Sequence, residues 1–383
     1  MAKINIMKNL LNITFLILAL SLWSCSDQKV AQTNPVKVKK IQVGVFNGQG
    51  AGLVSIIETI EALKIDNGIN AFEISASDIL LGKLDKIDAL IFPGGSGSKQ
   101  LNNLGSIGKK KVEKFLKEDG KGVVGICAGA YMLCSTPSYP SLKIADAIHI
   151  REHYDRGKGL IHFKMNEKGA EIFPELKDKN VFVQFYDGPV IIPLNKNKSF
   201  TELGTYVSDV HINKGIPEGV TPNKTFLFTE QIGKGKIFAI AAHTESTPGI
   251  RFIVPRIVRW VTNSELVSYD KKWINPDKNN KDILFNTALK KEERKLWWTL
   301  FEEDVTIKIN SMNRLYQMRS RNGVRWYMGL LRDVNPQVRA LAATLLAKTE
   351  YTYATQQIKD CLQVETDEKT KTAMKKSLVL LSL

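Results

Sequence analysis

Cys127 stands between Gly125 and Gly129, directly after the short apolar run Val123-Val124-Gly125-Ile126. No other stretch limits the possible folds of this chain so strongly. An apolar, β-branched run of this length reads as a buried strand. Glycine two residues before and two residues after a nucleophile lets a strand turn sharply into a helix without a Cβ clash. Ala130-Tyr131-Met132-Leu133 then reads as a first helical turn, which places the sulfur where backbone N–H groups and the helix dipole favour a thiolate. The same residues also fit a buried structural cysteine.

The flanking sequence supplies the layers such an elbow needs. Ile41–Phe46, Ala71–Ser75 and Ala89–Phe92 read as strands, with helices expected over 53–63, 77–84 and 107–118 between them. Strand–helix alternation with short loops predicts an α/β fold, a doubly wound and mostly parallel sheet with helices on both faces. Ligands of such sheets bind beyond the carboxyl ends of the strands. The glycine-bearing loops Asn47–Gly52 and Pro93–Ser98 would open at the same edge as Cys127.

From Leu142 to about Val207 the pattern changes to short strand-like runs, over 144–150, 160–165, 181–186 and 190–193, which predicts a β-rich excursion. Thr225–Glu230 and Lys236–Ala242 then flank a glycine-containing turn as a hairpin. The second of these strands runs into His243-Thr244-Glu245, and a helix is expected over 251–262. A cysteine nucleophile needs a base that can also return a proton, and that base needs an orienting carboxylate. Of the five histidines, His149, His153, His162, His211 and His243, only His243 follows an apolar strand with a carboxylate two residues on. In an extended segment, residues i and i+2 share a face, so His243 and Glu245 are expected to touch.

Phe92-Pro93-Gly94-Gly95, Gly125-Ile126-Cys127-Ala128-Gly129 and His243-x-Glu245, in that order, resemble the class I glutamine amidotransferase fold and its Cys-His-Glu triad. Tyr186-Asp187-Gly188-Pro189 and Ile232-Gly233-Lys234-Gly235-Lys236 narrow the resemblance to the amidotransferase-like N-terminal domain of large biotin–protein ligases, over about residues 40–263. The resemblance implies Cys127 as the nucleophile, His243 as base and then acid, and Glu245 as its orienting group. It further implies an oxyanion and substrate-binding set of Gly94, Gly95, Ala128 and Tyr186, acting on a small amide with no metal and no cofactor. Thr244 stands where many amidotransferases carry proline. No synthetase or biotin-ligase catalytic domain is recognisable downstream. A catalytically silent scaffold that binds a ligand or a protein is therefore the competing expectation.

The two ends carry other signals. Lys3 and Lys8 precede the apolar run Leu10–Leu22, and Leu22-Trp23-Ser24-Cys25 resembles a bacterial lipobox. Residues 1–24 are accordingly expected to be a lipoprotein signal peptide and Cys25 the lipidated residue, with 25–39 a tether and the protein held at the cell envelope by its lipid. With Cys25 lipidated, Cys127, Cys134 and Cys361 remain, an odd number with neither a disulfide framework nor a zinc spacing. The formal charge of +15 is scattered among acids rather than gathered in a block. Export and this dispersal argue against a nucleic-acid partner. After a polar linker, 264–281, residues 282–383 read as almost wholly helical. Leu331–Leu346, with Asp333 and Asn335-Pro336, resembles a HEAT-type repeat. A fainter copy follows 34 residues after Asp333, around Asp367. Such arrays usually bind proteins, so an unknown protein partner is expected on this segment, with a helical cap packed on the first domain as the equal alternative.

Overall fold

Side chains alternate strictly between two cores across the central sheet. Val43, Val45, Ile91, Val124 and Ile126 pack on one face, and Phe46, Leu90, Phe92 and Val123 on the other, as the period of two in an extended chain requires. The strands are β1 (Ile41–Phe46), β2 (Ile69–Ile74), β3 (Ala89–Phe92), β4 (Gly122–Ile126), β5 (Ala147–Ile150), β6 (Lys158–Met165), β7 (Val181–Tyr186), β8 (Val190–Pro193), β9 (Thr201–Tyr206), β10 (Thr225–Ile232), β11 (Gly235–Ile240) and β12 (Ile283–Leu284). The computed structural model describes residues 39–150, 157–210 and 218–382. The expected signal peptide, Cys25, all but the last residue of the tether, His153 and His211 lie outside the described residues.

The mixed α/β architecture has a parallel centre in the order β2-β1-β3-β4-β11. From β11 the sheet continues antiparallel through β10, β9 and β6, while β8 and β5 branch from β10. The chain order reverses between β1 and β3, and the carboxyl ends there form the crevice in which such sheets bind ligands. The helices of this part are α1 (Leu53–Leu63), α2 (Ala76–Leu80), α3 (Gly97–Lys117), α4 (Ala128–Leu133), α5 (Glu167–Ile172) and α6 (Ile253–Val261). Residues of α1 and α6 contribute to the first core and residues of α2, α3 and α4 to the second. Helices therefore cover both faces.

Several boundaries differ from the sequence reading for local reasons. Helix α2 starts one residue earlier, because Ser75 rather than Ser77 is its cap, in a reciprocal capping box with Asp78. Helix α3 starts at Gly97 rather than 107. Its first turns are rich in glycine, serine and asparagine and read as loop. They are held by the fully buried Gln100, whose amide donates to the Pro93 carbonyl at 2.9 Å. Gly105, at φ 68°, breaks the helix midway. Strand β9 has no counterpart in the sequence reading, since Thr201-Glu202-Leu203-Gly204 is neither apolar nor cleanly alternating.

The remaining helices are α7 (Thr287–Thr299), α8 (Val305–Gln317), α9 (Gly323–Leu330), α10 (Pro336–Lys348), α11 (Thr355–Val364) and α12 (Glu368–Leu381). They share a core of their own around Leu315, Tyr327, Leu346 and Met374. Ile283 and Leu284, expected as the start of a helix, form β12 on the outer edge of β6, and Asn286 caps α7 behind them. Trp273, within the expected linker, is buried. Residues 40–383 form one compact unit. Among the described residues, no helix is long and apolar enough to cross a membrane.

Candidate active site

Cys127 closes β4 and opens α4. Its φ of 50° and ψ of −101° lie where a residue with a Cβ rarely sits. The turn is held from both sides. The Cys127 N–H donates to the Ile240 carbonyl at 2.9 Å, and the Cys127 carbonyl accepts from Ala130 N–H at 3.0 Å and Tyr131 N–H at 3.3 Å. The flanking glycines are required by close approach. A Cβ on Gly125 would come 2.5 Å from the Gly129 carbonyl carbon, and one on Gly129 would overlap the Phe92 carbonyl. The thiol is nearly buried, at 4% exposure, and donates to the Tyr186 carbonyl at 3.2 Å.

His243 meets Cys127 because β11 is the parallel neighbour of β4, with Ile240 opposite Ile126. The two chains leave the sheet side by side. The His243 N–H donates to the Gln184 carbonyl at 2.9 Å, and Thr247 Oγ donates to the His243 carbonyl at 2.7 Å. His243 Nδ1–H donates to Glu245 Oε1 at 2.7 Å. The contact arises differently from the expectation. Strand β11 ends at Ile240, and a 3-10 turn over Thr244–Ser246, not an extended segment, brings the carboxylate back beneath the ring.

Burial and the neighbouring Arg321 both oppose charge on His243, but Cys127 and Glu245 outweigh them and the imidazole is pushed up to about 9. Glu245 is fully buried. Burial opposes its ionisation, yet His243, Arg321 and Ser55 hold its carboxyl below the usual range. At neutral pH the pair is thus an imidazolium on a carboxylate, with the Cys127 sulfur in the same cleft.

Gly94, Gly95, Ala128 and Tyr186 all line the cleft above Cys127 and His243, which has a volume of about 580 Å³. Gly94 packs against the imidazole so closely that a Cβ would collide with Cε1. Its N–H donates to Ser55 Oγ at 2.9 Å, and Ser55 Oγ–H donates on to Glu245 Oε1 at 2.8 Å. Ala128 opens α4, so its N–H has no acceptor within the helix. Ala128 and Gly95 are therefore the remaining backbone donors of the expected oxyanion set. Tyr186 contributes its carbonyl to the thiol, and its ring stands edge-on to His243 at 6.0 Å. Asp187, next in the chain, has φ 51°, and a Cβ on Gly188 would overlap the Ala241 carbonyl. Cys134, at the far end of α4, is fully buried and its thiol is pushed up to about 12 by that burial.

Two site residues come from the C-terminal helical segment. Arg321, just before α9, donates to Glu58 Oε2 on α1 through Nη2 at 2.7 Å and Nε at 3.1 Å. The same Nη2 reaches Glu245 Oε1 at 3.3 Å. Arg325 lines the cleft mouth from α9. The attachment is broad. Arg251 Nε donates to the Glu245 carbonyl at 2.9 Å and its guanidinium also bonds the Glu350 carbonyl. Gly249 N–H donates to Glu350 Oε2 at 2.9 Å, and Gln184 Nε2 donates to the Arg319 carbonyl at 2.8 Å. The α9 helix thus forms part of the wall around the thiol. Glu58, Thr59 and Glu61 are buried on the polar side of α1, beneath this cover.

No curated protein sequence matches the chain. Solved structures match the chain only at low similarity. A ThuA-like protein from Parabacteroides merdae is 11% identical with a TM-score of 0.43, covering 62% of this chain and 100% of its own. A ThuA-like protein from Bacteroides uniformis is 16% identical with a TM-score of 0.42, over 60% and 94%. A β-galactosidase from Bacillus circulans sp. alkalophilus is 13% identical with a TM-score of 0.38 over 64% of this chain, which spans only 33% of that enzyme. At the level of sequence family, residues 41–145, from β1 through the elbow and α4, match the N-terminal region of biotin–protein ligase.

Proposed function

We propose that this protein is a thiol amidohydrolase or acyl transferase of the class I glutamine amidotransferase type. The observation that carries the reading is the strained Cys127 at a strand–helix elbow, in one cleft with a histidine whose Nδ1 is 2.7 Å from a buried carboxylate. The Cys127 thiolate, its proton held on His243, attacks the amide carbon, and the carbonyl π pair moves onto oxygen, where the Ala128 and Gly95 N–H groups stabilise the charge. The tetrahedral species collapses with cleavage of the C–N bond, and His243 gives its proton to the departing amine. Water then attacks the thioester, His243 takes the water proton, and the C–S bond breaks. The sum is amide plus water giving carboxylic acid plus amine; transfer differs only in the nucleophile that replaces water.

The test is alkylation of Cys127 by iodoacetamide across pH, located by peptide mapping, in wild type and His243→Ala. The wild-type thiol reacts faster at neutral pH and loses that advantage in the variant. A thiol that titrates near the ordinary value of about 8.5 in both proteins overturns the reading.

The helices in pairs and the Asn335-Pro336 start of α10 support a HEAT-like character for the C-terminal segment. A partner-binding role for it draws on one observation, the exposed aromatic cluster of Trp298, Phe301 and Trp326. Substituting all three with serine should abolish co-purification of a partner if scaffolding is its task. Anchoring at the cell envelope through Cys25 is part of the same proposal, and labelled palmitate should be incorporated in wild type and not in Cys25→Ala.

A further inference from the structure

The cleft over Cys127 is polar, and its charges are unevenly engaged. Arg321 spends its guanidinium on Glu58 and Glu245. Asp187, the acid at the rim, has a partner of its own. Arg325 is exposed, lines the same cleft and makes no ion pair among the described residues. Ser96, Ser98, Tyr131 and Tyr139 add hydroxyls to the wall around it. At about 580 Å³ the cleft accommodates a small molecule or the end of a chain, and hardly more. An unpaired guanidinium at the mouth of such a site offers a planar fork of donors that matches a carboxylate.

We propose that Arg325, delivered by the helical segment, is the specificity residue of this site, and that the substrate is an amide or ester whose acyl part bears a carboxylate. The acyl carbon rests over Cys127 and the carboxylate rests on Arg325, so a neutral acyl group of the same size is held less well. The inference rests on the thiol reading above. It also assigns the C-terminal helices a part in the chemistry, since the α/β portion alone places no unpaired cation on the cleft among the described residues.

Two alkylating reagents of nearly equal size test it in the full chain: iodoacetate, which is anionic, and iodoacetamide, which is neutral. The quantity read is the ratio of their rates at Cys127, normalised to the same ratio for glutathione. The expected wild-type ratio is well above that of glutathione. It should fall by about threefold or more in Arg325→Ala, fall further in Arg325→Glu and be partly kept in Arg325→Lys, and high salt should compress the wild-type value. A ratio that does not change in Arg325→Ala and Arg325→Glu overturns the proposal, even where iodoacetamide still shows an activated, His243-dependent thiol. Should Cys127 resist both reagents, glutarate decides. A melting-temperature rise with glutarate that is present in wild type and lost in Arg325→Ala supports the carboxylate site, and no rise in wild type overturns it.

Discussion

Arg321 Nη2 lies 3.3 Å from Glu245 Oε1, the same oxygen that accepts from His243 Nδ1 and from Ser55 Oγ. The carboxylate that orients the histidine is therefore shared between the α/β sheet and the helical segment. Sharing has an electrostatic consequence. A guanidinium beside a carboxylate weakens the pull of that carboxylate on the imidazole, and Arg321 opposes protonation of His243 directly. The helical segment thus tempers the histidine as well as covering it.

Arg321→Met should be costly and informative. Glu58 is buried and loses the guanidinium that donates twice to its Oε2, and breaking a buried pair in this way costs about 3–5 kcal/mol. Urea unfolding at pH 7 measures that loss. Imidazole NMR of the folded variant should show His243 titrating higher than in wild type, because the cation that opposed its charge has gone. A packing role alone would lower the unfolding midpoint and leave the imidazole titration where it was.

Gly94→Ala separates positioning from fold. The new Cβ collides with the imidazole and lies 3.1 Å from Ser55 Oγ, while the elbow itself is untouched. The expected result is a modest change in melting temperature with a drop in Cys127 reactivity of about tenfold or more, since small displacements of catalytic groups are expensive. Gly129→Ala is the contrasting control, because its Cβ overlaps the Phe92 carbonyl and opposes the elbow, and folding should suffer first.

What was legible in the sequence follows from where the physics is local. Gly125, Cys127 and Gly129 announce an elbow because backbone sterics act within five residues, and the apolar runs of β1, β3 and β4 announce a parallel sheet because they are buried on both faces. His243 could be singled out for the same reason, at the end of an apolar strand. Ser55, Glu58 and Arg321 could not. Helix α1 reads as amphipathic with Ile56, Ile57, Ile60 and Leu63 inward, which assumes water on its other side. Leu53, one of the expected apolar positions, is instead exposed, while Glu58 is buried against Arg321 from 263 residues away. Periodicity records which residues are apolar and carries no information about a second layer that covers the polar ones.

Stability should depend on pH through His243. Its value in the folded protein, about 9, lies above the unfolded value of 6.5. A raised value contributes stability that is fully present below about 6.5 and is lost as pH rises through about 9. Urea midpoints measured between pH 6 and 10 should decline across that window in wild type, and the decline should flatten in His243→Gln. Cys127→Ser removes one of the influences that raise the imidazole, so its decline should be smaller and end at lower pH.

Glu245→Gln asks whether the charge or the shape of the third group matters. Glutamine can place its amide oxygen where Oε1 accepts from His243, Ser55 and Arg321, and its NH2 where Oε2 stands without a partner. The geometry is then kept and the charge is lost. Without the carboxylate the buried imidazolium loses one of its two stabilising charges, and the His243 titration should move down. Arg321 remains paired with Glu58, so the helical segment stays attached and the fold persists. Alkylation of Cys127 at neutral pH should slow by about tenfold or more, with a pH profile displaced toward that of His243→Ala. Near-wild-type alkylation in a folded Glu245→Gln protein, with His243 titrating lower by NMR, would mean that the carboxylate holds the ring in place and its charge does not reach the sulfur.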